Sequence, residues 1–275
     1  MHPVEQSPAP HRPPLVVHGW WLVLDYLYAA RRQLVLLAPP WNVLRSAPAS
    51  WGVGSDERPE VILLPGVYEH WTFLRPLGNA MNDAGYRVRV VKGMGINRRA
   101  IAQTAEKLAR DLAATAAPAA GRVLVAHSKG GLIGKHLLVA SGAAARAARE
   151  AAAGGDPATA AASAPAGPSL AGLGVLGLVA VCTPFGGSSW ARLFFVPSIR
   201  AFRPKNATIV ALGRETSVNG RIVSIFGRYD PNIPGGSVLD GATNVQVPGV
   251  GHFRVLASPE THRAVIEGVE HLAPA

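Results

Sequence analysis

The chain has 275 residues, enough for one large core, and its 48% apolar and 16% charged composition excludes wholesale disorder. Its single cysteine, Cys182, excludes an intrachain disulfide and is expected to be a small buried hydrophobe. The formal net charge of +10 comes mainly from scattered arginines with no nucleic-acid-binding motif beside them, so no nucleic-acid partner is expected. An anionic membrane surface and a plain arginine-rich composition both remain open as its origin.

Residues 1–14 are proline-rich and polar and are expected to form a disordered tail. Residues 15–50 read as an apolar helical arm, with Leu15–Ala30 strongly apolar and Arg31 and Arg32 directly after it. A membrane span needs about 20 apolar residues, and a central acid such as Asp25 costs roughly 2.5–3.5 kcal/mol on insertion. The arginines follow the apolar run and no small-residue cleavage site does, so a secretory signal is not indicated either. His18, Asp25 and Arg32 recur every seven residues, which draws a narrow polar stripe along a wide apolar helix. Such a helix either packs on the main domain or lies in a membrane interface with Trp20 and Trp21 as anchors, giving peripheral contact through residues 15–37. The expected location is cytoplasmic or peripheral to a membrane.

Past Trp51, strand and helix patterns alternate, which defines a main domain over 51–275 with a mostly parallel central sheet and helices on both faces. Val61–Leu64 is a buried-type strand ending in the Pro65-Gly66 turn, followed by a helix within about 70–84 and a strand over Arg87–Val91. Asn97 is expected to cap a helix whose Ile101, Ala105, Leu108 and Leu112 share one apolar face. Residues 142–169 are almost entirely Ala, Gly, Pro and Ser and are expected to form a flexible loop, although alanine over 143–153 is compatible with helix. In segment 184–220, Trp190, Leu193, Phe194, Phe195, Phe202 and their neighbours alternate with arginines. They either pack on the core or form a lid in which Phe194 and Phe195 wall an apolar pocket.

The densest chemical signal is Val123-Leu124-Val125-Ala126-His127-Ser128-Lys129-Gly130-Gly131, a strand that breaks at a serine among small residues and runs at once into an apolar helix. A strand–turn–helix nucleophile elbow reads this way, with Ala126 in place of the first glycine of the common pattern. Two further strands follow. Arg221–Gly227 leads to Asp230-Pro231, and Asn244–Val247 leads to a glycine-rich loop carrying His252. Ser128 is the candidate nucleophile, His252 the base, and Asp230 the acid that orients it, with Asp240 the second choice. The backbone N–H groups of Val67, after the first strand, and Lys129, after the serine, are the candidate oxyanion donors. His127 is expected to pack inside the elbow. No Cys/His cluster has zinc spacing and no glycine-rich phosphate loop follows a strand, so neither a metal nor a cofactor is expected.

Serine, aspartate, histidine in chain order, with the Ala-His-Ser-x-Gly-Gly elbow and Thr183-Pro184-Phe185-Gly186-Gly187-Ser188, resembles the α/β-hydrolase superfamily of lipase/esterase type. Leu-Pro-Gly-Val-Tyr-Glu, Ala-His-Ser-Lys-Gly-Gly and Gly-His-Phe-Arg also resemble uncharacterised actinobacterial members. The likeness covers about residues 60–272. It implies an α/β-hydrolase fold and a serine hydrolase acting on a small-molecule or lipid-like carboxylic ester through an acyl-enzyme. The nearest alternative is an acyltransferase or thioesterase using the same residues; a catalytically silent, membrane-associated interaction module is the alternative from another class, and an intact triad in order speaks against it. Two positions depart from the common pattern. Pro65 stands where many lipases have histidine, and Lys129 replaces methionine or glutamine, setting a cation at the mouth of the site or in solvent.

Overall fold

The structure is a computed structural model that describes residues 15–34, 46–154, 172–192 and 196–274. Six strands form one parallel sheet: β1 (Glu60–Leu64), β2 (Val88–Val90), β3 (Arg122–His127), β4 (Val175–Val181), β5 (Ile222–Tyr229) and β6 (Thr243–Val250). Their order across the sheet is β2-β1-β3-β4-β5-β6. Strand pairing therefore starts near the middle and winds outward in both directions, which requires helical crossovers on both faces.

The strands alternate strictly between two cores because successive side chains of a strand point to opposite faces. Ile62, Leu64, Leu124, Ala126, Leu178 and Ala180 join one cluster, which includes α3 (Ile101–Ala113) and the buried start of α4 (Lys129–Gly154). Val61, Leu63, Val123, Val125, Val179 and Val181 join the other, with Trp51, α2 (Arg75–Asp83) and the last helix, Pro259–Leu272. That last helix is labelled α6, and α5 is Ala207–Arg214. Ser258 caps α6 by accepting from Thr261 N–H at 3.1 Å, with Pro259 at its first turn.

The arm forms helix α1 (Leu15–Leu34), which packs on the second cluster through Tyr28 and Ala29. No helix among the described residues is long and apolar enough to cross a membrane. Two members of the heptad polar stripe are engaged by the rest of the domain. Asp25 is fully buried, and Arg32 donates to the Thr72 carbonyl at 2.6 Å.

Two expectations change, and part of 184–220 takes the first of its two readings. Helix α4 runs unbroken to Gly154, so residues 142–154 of the expected loop are helical, because alanine carries little entropic cost in a helix. Asn97 does not cap α3, which starts at Ile101 after Ala100; Asn97 instead sits at φ 48° and donates its side-chain N–H to the Pro65 carbonyl at 2.7 Å. Within 184–220, Phe202, Ile209 and Leu212 are core residues. The tail 1–14, the remainder of the 142–169 loop apart from 142–154, and Phe194 and Phe195 lie outside the described residues.

Candidate active site

All loops that carry the proposed functional groups emerge at the C-terminal edge of the sheet, as the parallel winding requires. At the end of β3 the chain reverses sharply at Ser128, whose φ is 51°. The turn is held by Ser128 N–H to the Val181 carbonyl at 2.9 Å and by the Thr183 hydroxyl to the Ser128 carbonyl at 3.0 Å. Both following glycines are required by space. A Cβ on Gly130 would lie 2.2 Å from the Leu64 carbonyl oxygen, and one on Gly131 would lie 2.0 Å from Thr183 Oγ1.

Ser128 Oγ lies 3.0 Å from His252 Nε2, and His252 Nδ1 lies 2.7 Å from Asp230 Oδ2. The carboxylate can only accept, so Nδ1 carries the proton and Nε2 of the neutral ring is left to accept from the serine. Asp230 is itself fixed, with Oδ1 accepting from the N–H groups of Asn232 at 2.8 Å and Ile233 at 3.1 Å. Burial alone would push the His252 pKa down. The Asp230 carboxylate at Nδ1, with the more distant charges of Asp25 and Glu69, outweighs it, and the net shift is upward. Asp240 is exposed at a turn and takes no part in this chain of contacts.

On the other side of Ser128, the β1 turn carries Val67. Its N–H and that of Lys129 have no acceptor among the described residues, whereas the Gly66 N–H is taken by Glu69 Oε2 at 2.7 Å. The Lys129 side chain does not reach the mouth of the site. It is buried and donates to the carbonyls of Asn97, at 2.8 Å, and Arg99, which bolts the loop after β2 to the elbow. Loss of hydration lowers its pKa to about 8. Arg98 and Arg99, with Tyr68, Met94, Ile96 and Val196, line a cavity of about 570 Å³.

Two acids went unassigned in the sequence and are central here. Glu69 lies 2.8 Å from His127 Nδ1, while His127 Nε2 faces the His252 carbonyl at 3.0 Å. The two ring nitrogens thus link the β1 turn to the histidine loop. The His127 ring also stacks on Phe73 with centroids 6.3 Å apart. Asp25 is the second acid, and it accepts from the backbone of the histidine loop. Glu69 gave no sequence signal separable from an ordinary turn acid. Asp25 did: a lone acid inside an apolar helix must find partners.

Cys182 Sγ, an Asp230 oxygen and a His252 nitrogen lie within 4.8 Å of one another, a spacing a metal ion could span. The chemistry of the donors argues against that use. Burial and the Asp230 charge push the Cys182 thiol well up, so it stays protonated, and Nδ1 already donates to Asp230.

No protein-family model and no curated protein matches the chain. Among solved structures it is similar to Aspergillus fumigatus lipase B, with a TM-score of 0.58 and 18% identity over 85% of this chain and 58% of that one. It is similar to Bacillus licheniformis lipase BlEst2 in mature form, with a TM-score of 0.53 and 12% identity over 80% and 94%. A metagenomic carboxyl esterase, MGS0156, gives a TM-score of 0.51 and 16% identity over 80% and 77%. At such identities the likeness concerns architecture: the chain has the α/β-hydrolase fold.

Proposed function

We propose that the protein is a serine hydrolase of carboxylic esters, with Ser128 as nucleophile, His252 as general base and Asp230 holding the imidazole tautomer. The observation that carries this reading is the continuous chain Ser128 Oγ–His252 Nε2 and His252 Nδ1–Asp230 Oδ2 at the C-terminal edge of a parallel sheet. Ser128 attacks the acyl carbonyl as His252 takes its proton. The oxyanion is met by the Val67 and Lys129 N–H groups, each worth on the order of 3 kcal/mol in such sites. The imidazolium then protonates the leaving alcohol, and water, activated by the same histidine, releases the acyl group.

A lipid-like ester is the proposed substrate class, supported by the likeness of the fold to two lipases. Acyl transfer and thioester cleavage use the same groups and differ only in the acceptor or leaving atom. We also propose peripheral lipid contact through α1, whose outward Val17, Trp20, Val23, Leu27 and Leu34 are exposed.

Fluorophosphonate labelling tests the chemistry. Wild-type protein is expected to label, and Ser128→Ala and His252→Ala to lose labelling. Because the base must be neutral and its pKa is raised, the acid limb of ester hydrolysis is expected above the ordinary imidazole value of about 6.5. Folded wild type that neither labels nor cleaves p-nitrophenyl esters, with or without lipid, would overturn the reading in favour of a silent interaction module.

A further inference from the structure

The hydrolase reading uses the side chain of His252 and leaves open what holds its backbone. Asp25, 227 residues away in sequence, does so. Its Oδ2 accepts from the His252 N–H at 2.9 Å, and its Oδ1 accepts from the N–H groups of Phe253 and Arg254, each at 2.9 Å. Three successive backbone N–H groups converging on one point form an anion-binding concavity, and here the anion comes from the chain itself. Gly251 makes the closure possible. Its φ is 114°, and a Cβ there would lie 2.5 Å from Asp25 Oδ1.

The other side of the same residue is gripped too, since the His252 carbonyl faces His127 Nε2 at 3.0 Å. Helix α1 also reaches the other two loops of the site. Tyr26 donates to the Asn232 side chain at 3.1 Å, beside the N–H that binds Asp230, and Gln33 donates to the Tyr68 carbonyl at 2.5 Å, one residue after Val67. A helix that merely packed on the domain would gain more from an apolar residue at 25, because a buried carboxylate carries a desolvation cost.

Resting on the hydrolase reading, we infer that α1 is a splint for the active site and that Asp25 is the positioning residue of the general base. Without the Asp25 carboxylate the histidine loop keeps its sequence and its glycine hinge but loses three charge-assisted hydrogen bonds, so the imidazole no longer holds its place between Ser128 and Asp230. A displacement of about 1 Å at a reacting group can lower turnover on the order of 100-fold. The Asp25 charge also stands among those that raise the His252 pKa, which gives a readout that packing alone would not move.

The test compares full-length wild type, Asp25→Asn and Arg32→Ala. The last cuts a different α1 contact, the bond to the Thr72 carbonyl, and leaves the histidine loop untouched. Asp25→Asn is expected to lower kcat on the order of 100-fold at unchanged KM and to move the acid limb to lower pH, while Arg32→Ala leaves the limb in place. Wild-type kcat and acid limb in Asp25→Asn would overturn the inference, as would an equal loss in both variants with an unmoved limb. Should Asp25→Asn not fold, Asp25→Glu keeps the charge and displaces it by one methylene. Its kcat is expected to fall with the limb unmoved, and wild-type kcat there overturns the inference. A wild type inert to probe and esters sinks the hydrolase reading instead. The His252 titration followed by NMR then decides for Asp25 if Asp25→Asn lowers it, and against if it does not.

Discussion

At the scale of single residues, Lys129 shows how a position can look functional for the wrong reason. Next to the nucleophile, a lysine suggests a cation that greets the substrate, yet its ammonium is buried and tied to two carbonyls of the loop after β2. Only its backbone N–H faces the proposed chemistry. Burial lowers its pKa to about 8, against about 10.4 in the unfolded chain. Between those values the unfolded chain binds more protons than the folded one, so stability rises with pH. The contribution is most favourable above the unfolded value and is lost as pH falls through about 8. Thermal melts of wild type and Lys129→Met should therefore diverge in favour of wild type as pH is raised from about 7 to about 9.5. Parallel melting curves across that range would place the ammonium in water. Probe labelling of Ser128 is expected to survive the substitution, since the backbone donor remains.

At the scale of elements, the sequence was legible where local pattern and tertiary environment agree. The strands are short β-branched runs between turn residues, and buried parallel strands read that way. Ser128, Asp230 and His252 stood out because each follows a strand at a turn, among small residues for Ser128 and His252 and before Pro231 for Asp230. Helix α4 was harder beyond residue 141, because alanine gives a helix without an apolar stripe to reveal it. The terminal helix α6 was not singled out at all, although Ser258-Pro259 is a sound start signal. Glu69 and Asp25 owe their roles to partners 58 and 227 residues away, and no local window contains such a pairing. Helix α1 combines both situations. Its inward side is defined by distant partners, its outward side by Trp20 and Leu27, each 61% exposed. If that outward side meets lipid, wild type should co-sediment with anionic vesicles and the Trp20→Ser/Leu27→Ser double variant should stay in the supernatant with its labelling intact. Equal sedimentation of the two would remove lipid contact from the role of α1.

At the scale of the whole molecule, the two edges of the sheet are built differently. At the N-terminal edge Arg122 is buried and donates to the carbonyls of Leu112, Leu173, Thr115 and Ala116 and to Glu60, a fully satisfied staple. At the opposite edge lie the four non-glycine residues that have left-handed backbone among the described residues: Tyr68, Asn97, Ser128 and Cys182. Each such conformation costs of order 1–3 kcal/mol and survives only where its surroundings over-determine it. Strain is thus gathered on the side where chemistry is proposed, and α1, the Glu69–His127 pair and the Lys129 bolt are the surroundings that hold it.

Cys182 belongs to that strained edge and is the protein's only thiol. It is wholly buried beside Asp230, with its pKa pushed up, so both access and ionisation protect it from electrophiles. Nature has in effect installed a single-site clock for the opening of this edge. In the native protein a disulfide reagent should consume no thiol on the timescale in which guanidinium-unfolded chain consumes one equivalent, and the slow native rate then measures how often the edge opens. Immediate modification of the native protein would mean that the edge breathes freely. The same clock would run faster in any variant that releases α1, with no substrate needed to read it.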